Sequence, residues 1–332
     1  MKAGISALIM TISGLTAPLS AQDAPLQPRI RVILDTDANN ELDDQHAIAY
    51  LLLSGNVFDV DGITVNATRF GGDVRAQAAE AERVIRLCGL YPQIPVYLGA
   101  NGSFEAIKDK VEAADFDGAE AVNYIIREAQ HQAPRTLVLL PIGKLTNIAL
   151  ALKKAPSIAK NVRIVWLGSN YPDPGEYNQE NDEAALSYIL DLEVPFEIAL
   201  VRYGKPSGTD AVRVTLADIE RTMPGLGPRI REPVTGRHGG QFNTFGDYSV
   251  DLFRHIRLDG DPPSRALYDM AAVAIVKNPS WATRTEIPAP ILEGGVWRER
   301  PQNPRRIVIW ENFQRDAIVG DFFATMRNRG RR

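Results

Sequence analysis

Cysteine is almost absent from this chain: Cys88 stands alone in 332 residues. A lone thiol excludes an internal disulfide framework and leaves none of the paired Cys and His spacing of a structural zinc site. Histidine is nearly as scarce, at four residues. No long run of one charge sign occurs either. The 37 Lys and Arg stand against 41 Asp and Glu, a formal net charge of −4, which argues against a nucleic-acid surface and against a polybasic membrane patch. Internal repeats and low-complexity segments are missing, and so is the G-x-x-x-x-G-K-[ST] phosphate loop. What is present is ordinary globular usage, 45% apolar and 23% charged, enough to bury a large core. A small-molecule partner is the expectation.

The first segment, MKAGISALIMTISGLTAPLSAQDAP, has Lys2, an apolar stretch from Ala3 to Leu15 and small residues ending at Ser20 and Ala21. It is too short and too rich in Gly, Ser and Thr for a membrane span and has the pattern of a secretory signal peptide. The expected organisation is a signal peptide over residues 1–21 and one domain over 22–332, with the mature protein periplasmic or secreted. Cys88, in VIRLCGL, then reads as a packed thiol without a partner.

Strand-length apolar runs alternate with segments of helical period along the rest of the chain. IRVIL (30–34), FDVDGITV (58–65), PVYL (95–98), TLVLL (136–140), VRIVWL (162–167) and FEIAL (196–200) read as strands. Between them, residues 43–54, 76–88, 119–129, 145–152 and 182–191 read as helices. Such alternation predicts a single α/β domain with a mostly parallel central sheet flanked by helices, because each crossover must bury its apolar stripe against that sheet. Residues 203–246 break the pattern with Gly- and Pro-rich sequence, as a functional loop region or unrecognised short helices would. Helices near 247–256 and 265–276, a late strand at IVIW and a closing helix complete the reading.

The strongest local feature is ILDTDANNELDDQHAIAYLL, which gathers Asp35, Asp37, Asp43 and Asp44 at a strand-to-helix junction. Ligands bind at the carboxyl ends of strands in open α/β sheets, and four carboxylates there repel unless a cation intervenes. A hard divalent ion such as calcium, which takes oxygen ligands, is the economical solution. Helix capping accounts for two of the four. A second feature, WLGSNYPDPGEYNQENDEAAL, offers Asn170, Glu176 and Asn178 after another strand, a donor and acceptor mixture suited to sugar hydroxyls. Asp269 stands at the start of the apolar helix of RALYDMAAVAIV. In LLPIGKLTNIALAL a strand ends in a Gly turn that exposes backbone carbonyls; Lys144 there invites a phosphate reading, but the phosphate-loop spacing is missing.

Together the DTD…DD cluster at 35–44, the LTNIALAL block, the GEYNQENDEAA loop and Tyr268-Asp269 resemble the inosine-uridine nucleoside hydrolase family over most of the mature chain. The resemblance implies one α/β domain, a tightly held calcium and hydrolysis of N-ribosidic bonds. Residue by residue, it implies Asp37, Asp44, Asp269 and the backbone carbonyl of Ile142 as calcium ligands, with Asp35 in support. It makes Asp37 the base toward a water held by the ion, and Asp43, Asn170, Glu176 and Asn178 the contacts to the ribose hydroxyls. Two departures stand out. The stretch ANNEL lengthens the turn between Asp37 and Asp43, which adds Asn39, Asn40 and Glu41 as candidate ligand contacts. Tyr268 replaces the His that many relatives use on the leaving base, so Tyr268 and His238 are the candidates for that role. The implied partner is a small N-riboside, with a homo-oligomer left open. Two rivals remain at this point: a non-catalytic riboside- or sugar-binding protein, and a DxD-type magnesium phosphatase with Asp35 as nucleophile and Asp37 as acid.

Overall fold

Side-chain alternation in the inner strands fills a core on each face of one sheet. In β1 (Ile30–Thr36) Val32 and Leu34 join one buried cluster and Ile33 the other. The same split recurs in β4 (Leu137–Pro141), between Val138 and Leu140 on one side and Leu137 and Leu139 on the other. It recurs again in β5 (Val162–Gly168), where Val165 and Leu167 oppose Ile164 and Trp166. A strand buried on both faces loses the polar alternation of a half-exposed one, which is why these runs read as continuously apolar. The computed structural model describes residues 28–131 and 135–328 together with Met1. Apart from Met1, the segment read as a signal peptide lies outside the described residues.

With β2 (Phe58–Val65), β3 (Val96–Leu98), β6 (Phe196–Leu200), β7 (Thr283–Pro288) and β8 (Arg306–Glu311), the eight strands run in the order β7-β8-β6-β5-β4-β1-β2-β3. All neighbours are parallel except β7, which runs antiparallel to β8 at the edge. Helices α1 (Asp43–Leu53), α2 (Val74–Leu87), α6 (Phe245–Arg254), α7 (Tyr268–Lys277) and α8 (Arg315–Arg327) contribute to the first core. Helices α3 (Ala119–Gln130), α4 (Thr146–Lys154) and α5 (Glu183–Leu190) contribute to the second. The expected mostly parallel α/β architecture is what the chain forms. Cys88 is buried and free, as expected of a packed thiol. Among the described residues no helix is long and apolar enough to cross a membrane.

The chain winds outward from β1 through β2 to β3, and in the opposite direction from β4 through β5 to β6. The neighbours β1 and β4 therefore send their following helices, α1 and α4, to opposite faces. That reversal opens a crevice beyond the carboxyl ends of β1 and β4. Backbone bonds extend the sheet just past this edge, from Ile142 N to Asp35 O at 2.8 Å and from Asn66 N to Thr36 O at 3.0 Å.

Several boundaries differ from the sequence reading for identifiable reasons. Helix α2 starts two residues early because the Asp73 carboxylate accepts from the amides of Arg75 and Ala76, both at 3.0 Å. Helix α6 starts at Phe245 behind Thr244, whose hydroxyl accepts from Asp247 N at 3.1 Å. Helix α7 starts only at Tyr268, since Ser264–Ala266 is engaged as a strand against Arg213–Thr215. The 203–246 stretch holds that strand, a short helix at Leu216–Thr222 and a ribbon pairing Val234–Thr235 with Gln241–Phe242. Strand β7, TRTEIP, went unrecognised because an exposed edge strand needs no apolar run.

Candidate functional site

The carboxylates converge because two helices aim their amino ends at the β1–β4 crevice. Asp43 and Asp44 occupy the first turn of α1, and Asp269 the first turn of α7. Leu42 and Leu267 are the residues at the caps, with no side-chain capping bond. Capping therefore does not explain these acids, although the positive ends of both helix dipoles favour them. Oxygens of Asp43, Asp44 and Asp269 lie within 4.8 Å of one another. Asp37 borders the same cavity, and its charge acts on all three of these acids.

Burial dominates the electrostatics. It pushes Asp35 and Asp37 each up to about 6, and Asp43 up to about 7. Asp44 and Asp269 are held well above the usual carboxylate range, first by burial and then by neighbouring acids: Asp37 and Asp43 act on Asp44, and Asp43, Asp44, Asp37 and Glu176 act on Asp269. Three buried carboxylates without an ion-pair partner among the described residues form an all-oxygen donor set, and that chemistry fits a hard divalent ion.

Asp35 has a different task. Its Oδ1 accepts from Asn66 at 2.6 Å, and its Oδ2 from Thr64 at 2.6 Å and Asn147 at 2.7 Å. Wholly buried, with both oxygens engaged, it braces the strand ends and is not presented to a phosphate as an aspartyl nucleophile would have to be. Asp37 Oδ2 accepts from Thr68 at 2.5 Å and from Asn40 at 3.4 Å. Asp44 accepts from Thr36 at 2.5 Å. Lys144 spends its ammonium on the carbonyls of Asn101 and Gly102, at 3.1 and 2.6 Å, so it makes no phosphate loop.

On the far wall, Glu176 accepts from the amides of Ser169, Asn178 and Gln179 at 2.8, 3.0 and 2.9 Å, which fixes its carboxylate at the cavity surface. Burial raises its pKa despite those bonds. Asn178 donates to Ile142 O at 3.0 Å and Leu167 O at 3.2 Å, clamping the ends of β4 and β5 together. A carbonyl has two lone pairs, so Ile142 O keeps acceptor capacity beside this bond.

The cavity measures about 320 Å³. Its lining sets Asp37, Asp43, Asp44, Asp269 and Glu176 beside Phe70, Tyr177, Tyr203 and Tyr268, with the Tyr203 hydroxyl 3.5 Å from Glu176 Oε1. Phe70 stacks on Tyr177 with centroids 5.9 Å apart, and Tyr203 meets Tyr268 edge-on at 5.7 Å. Glu41 and Arg265 pair on the wall, and Arg265 Nε is buried without a hydrogen-bond partner.

Three expected contacts lie off this surface. Asn39 donates from its backbone to Gln77 at 2.6 Å and from its side chain to Gly71 O at 2.8 Å, while its neighbours Asn40 and Glu41 line the cavity. Asn170 is spent on Gly175 O and on the amide of Tyr203. His238 packs against His255, away from the lining residues. Tyr268 does line the cavity, with its hydroxyl donated to Asp210 at 2.7 Å. Sequence reasoning missed Phe70, Tyr177, Tyr203 and Arg265, together with the donors Thr36, Thr64, Asn66, Thr68 and Asn147. Asn66 and Thr68 were detectable as polar residues directly after a buried parallel strand; the aromatic wall left no comparable signal.

Comparisons with known proteins agree with this geometry. The family model of the inosine-uridine preferring nucleoside hydrolases matches residues 32–318. The inosine-uridine preferring nucleoside hydrolase of Crithidia fasciculata is 24% identical over 279 residues, covering 79% of this chain and 83% of the relative. A non-specific ribonucleoside hydrolase of Klebsiella pneumoniae is 24% identical over 292 residues, covering 81% and 86%. Among solved structures, the purine-preferring ribonucleoside hydrolase from Gardnerella vaginalis superposes with a TM-score of 0.66 at 20% identity, covering 90% of this chain and 99% of that one.

Proposed function

Because the chain belongs to the inosine-uridine preferring nucleoside hydrolase family, we propose that it hydrolyses the N-glycosidic bond of ribonucleosides or related N-ribosides with the help of calcium. The observation that carries this reading is one cavity lined by a buried carboxylate trio and by four aromatic rings. A ribose needs fixed polar groups, and a flat base needs rings.

Asp37, Asp44, Asp269 and the carbonyl oxygen of Ile142 would hold the ion, with the Asp43 carboxylate beside them. When bound, calcium would supply positive charge that offsets the carboxylate repulsion and favours deprotonation of the attacking water. The chain's own residues do the rest. Asp37, oriented by Thr68 and Asn40, takes the proton of the attacking water. The water oxygen bonds to the anomeric carbon, and the electron pair of the carbon–nitrogen bond leaves with the base, through an oxocarbenium-like state. Asp43, Glu176 and Asn178 face the ribose hydroxyls. Among the described residues no His lines the cavity, and the Tyr268 proton is committed to Asp210. Arg265 is the cation on the wall and stabilises the departing base in this scheme.

The test is release of ribose and free base from a panel of purine and pyrimidine ribonucleosides and an activated riboside, with and without chelator. Hydrolysis that disappears on chelation and returns with calcium is expected. Riboside binding without turnover would instead support a binding protein, and phosphate release from phosphomonoesters a phosphatase.

Gly143 gives an independent check on Asp37. Its carbonyl accepts from the Trp166 indole at 2.9 Å, and a Cβ at this position would stand 2.7 Å from Asp37 Oδ1 and 3.0 Å from Asn66. Gly143→Ala should therefore displace the base and lower kcat on the order of 10²-fold, with the circular dichroism spectrum unchanged. Unaltered kcat would mean that the Asp37 position does not matter to the chemistry.

A further inference from the structure

We propose that Arg237, which lies outside the cavity lining, is a positioning residue for hydrolysis: it pins the turn at residues 38–42 from behind and so fixes Asn40 against Asp37. The proposal rests on the hydrolase reading, in which Asp37 is the base. Those five residues join Asp37, just past β1, to Asp43 and Asp44 in the first turn of α1. Each peptide unit is planar and nearly rigid, so fixing a carbonyl also fixes the amide that follows it.

Three side chains from different segments hold this turn. Gln45 Nε2 donates to Ala38 O at 2.8 Å and to Glu41 O at 3.3 Å, and Gln77 Oε1 accepts from Asn39 N at 2.6 Å. Arg237 donates from its two terminal nitrogens to Glu41 O at 2.7 Å and Asn40 O at 3.3 Å. Among the described residues it is the one donor to the Asn40 carbonyl. A planar guanidinium can span two adjacent acceptors with its fixed fork of N–H groups, where an ammonium acts as a single point. On the cavity side, Asn40 donates from its backbone amide to Asp37 O at 3.1 Å and from its carboxamide to Asp37 Oδ2 at 3.4 Å. One residue therefore separates Arg237 from the base.

The guanidinium is not needed to build the segment that carries it. The ribbon of Val234–Thr235 and Gln241–Phe242 is held by its own pairing, by Arg83 Nε donating to Thr235 O at 2.7 Å, and by Phe242 against Tyr248 with centroids 5.3 Å apart. The Arg237 backbone amide donates to the Tyr248 hydroxyl at 3.4 Å, and that hydroxyl donates to the buried Glu80 at 2.6 Å. Among the described residues the Arg237 side chain makes no ion pair; Nε donates to His238 Nε2 at 3.2 Å and the terminal nitrogens go to the two carbonyls. Half-burying a cation without an acid partner costs desolvation free energy, and charge-assisted bonds to the turn are what offset it here.

In calcium, Arg237→Ala should hydrolyse a ribonucleoside with kcat about tenfold below the parent and KM little changed. Its circular dichroism spectrum should match the parent's, while hydrogen exchange over residues 37–42, read by mass spectrometry, should be faster. Arg237→Lys should recover part of the loss. Millimolar guanidinium should restore kcat in Arg237→Ala but not in the Asn40→Ala/Arg237→Ala double variant. In the Asn40→Ala background, Arg237→Ala should lower kcat by less than about twofold more, because its effect passes through Asn40. Unchanged exchange in Arg237→Ala would overturn the pinning of the turn, whatever the chain hydrolyses. Faster exchange with parental kcat, or equal losses with and without the Asn40 side chain, would overturn the positioning role and leave the hydrolase reading intact. A parent without turnover would overturn both.

Discussion

Asn in place of Asp37 is expected to lower kcat for a ribonucleoside by about three orders of magnitude, with KM changed only a few-fold. The substitution is nearly isosteric. The carboxamide oxygen still accepts from Thr68, and the tight space against Gly143 is respected. What disappears is the ability to take a proton from water. The carboxamide also keeps an oxygen to offer a cation, so the variant should keep a calcium-induced rise in Tm, and this separates loss of the base from loss of the ion. Turnover within tenfold of the parent would exclude Asp37 as the base. Loss of the calcium response together with activity would recast it as chiefly a ligand.

The acidic residues of this site were legible because they lie next to elements with strong periodic signals. Asp35 and Asp37 close a buried strand, Asp43 and Asp44 open the helix after it, and Asp269 opens another apolar helix. Once the alternation of strands and helices implied a parallel sheet, the rule that ligands gather beyond strand ends placed most of them together. The aromatic lining was not legible, since it depends on pairs distant in sequence: Phe70 stacks on Tyr177, Tyr203 meets Tyr268 edge-on, and Arg265 reaches Glu41. Each of these residues reads locally as a loop or helix-end residue. Asn39 and Asn170 illustrate the reverse error. Polar residues in a functional loop can be consumed in holding the loop, and only coordinates separate Asn39, bonded to Gly71 and Gln77, from Asn40 on the wall. The excursion at 203–246 resisted a detailed reading for a related reason, because its short strand, helix and ribbon are stabilised by tertiary partners, not by a long periodic stripe.

Calcium should invert the stability ranking of the parent protein and its Asp44→Asn and Asp269→Asn variants. Without a divalent ion, the buried acids repel one another and burial disfavours their charge. A carboxamide removes that cost and, for Asp44, can still accept from Thr36. Each variant should then melt no lower than the parent in chelator. With calcium at roughly a thousand times Kd, binding adds about 4 kcal/mol to the parent, which at about 2 °C per kcal/mol for a chain of this size is a rise of about 8 °C. The variants lack one charge of the donor set and should gain little of it, and their turnover should fall with the lost ion. Scanning calorimetry of the three proteins in chelator and in calcium checks both signs at once. If the variants are destabilised equally in both conditions, the carboxylates are structural, held by hydrogen bonds and not by an ion. A crossing of the two series is expected only when these acids hold a cation, because like charges that are never neutralised do not favour the folded chain.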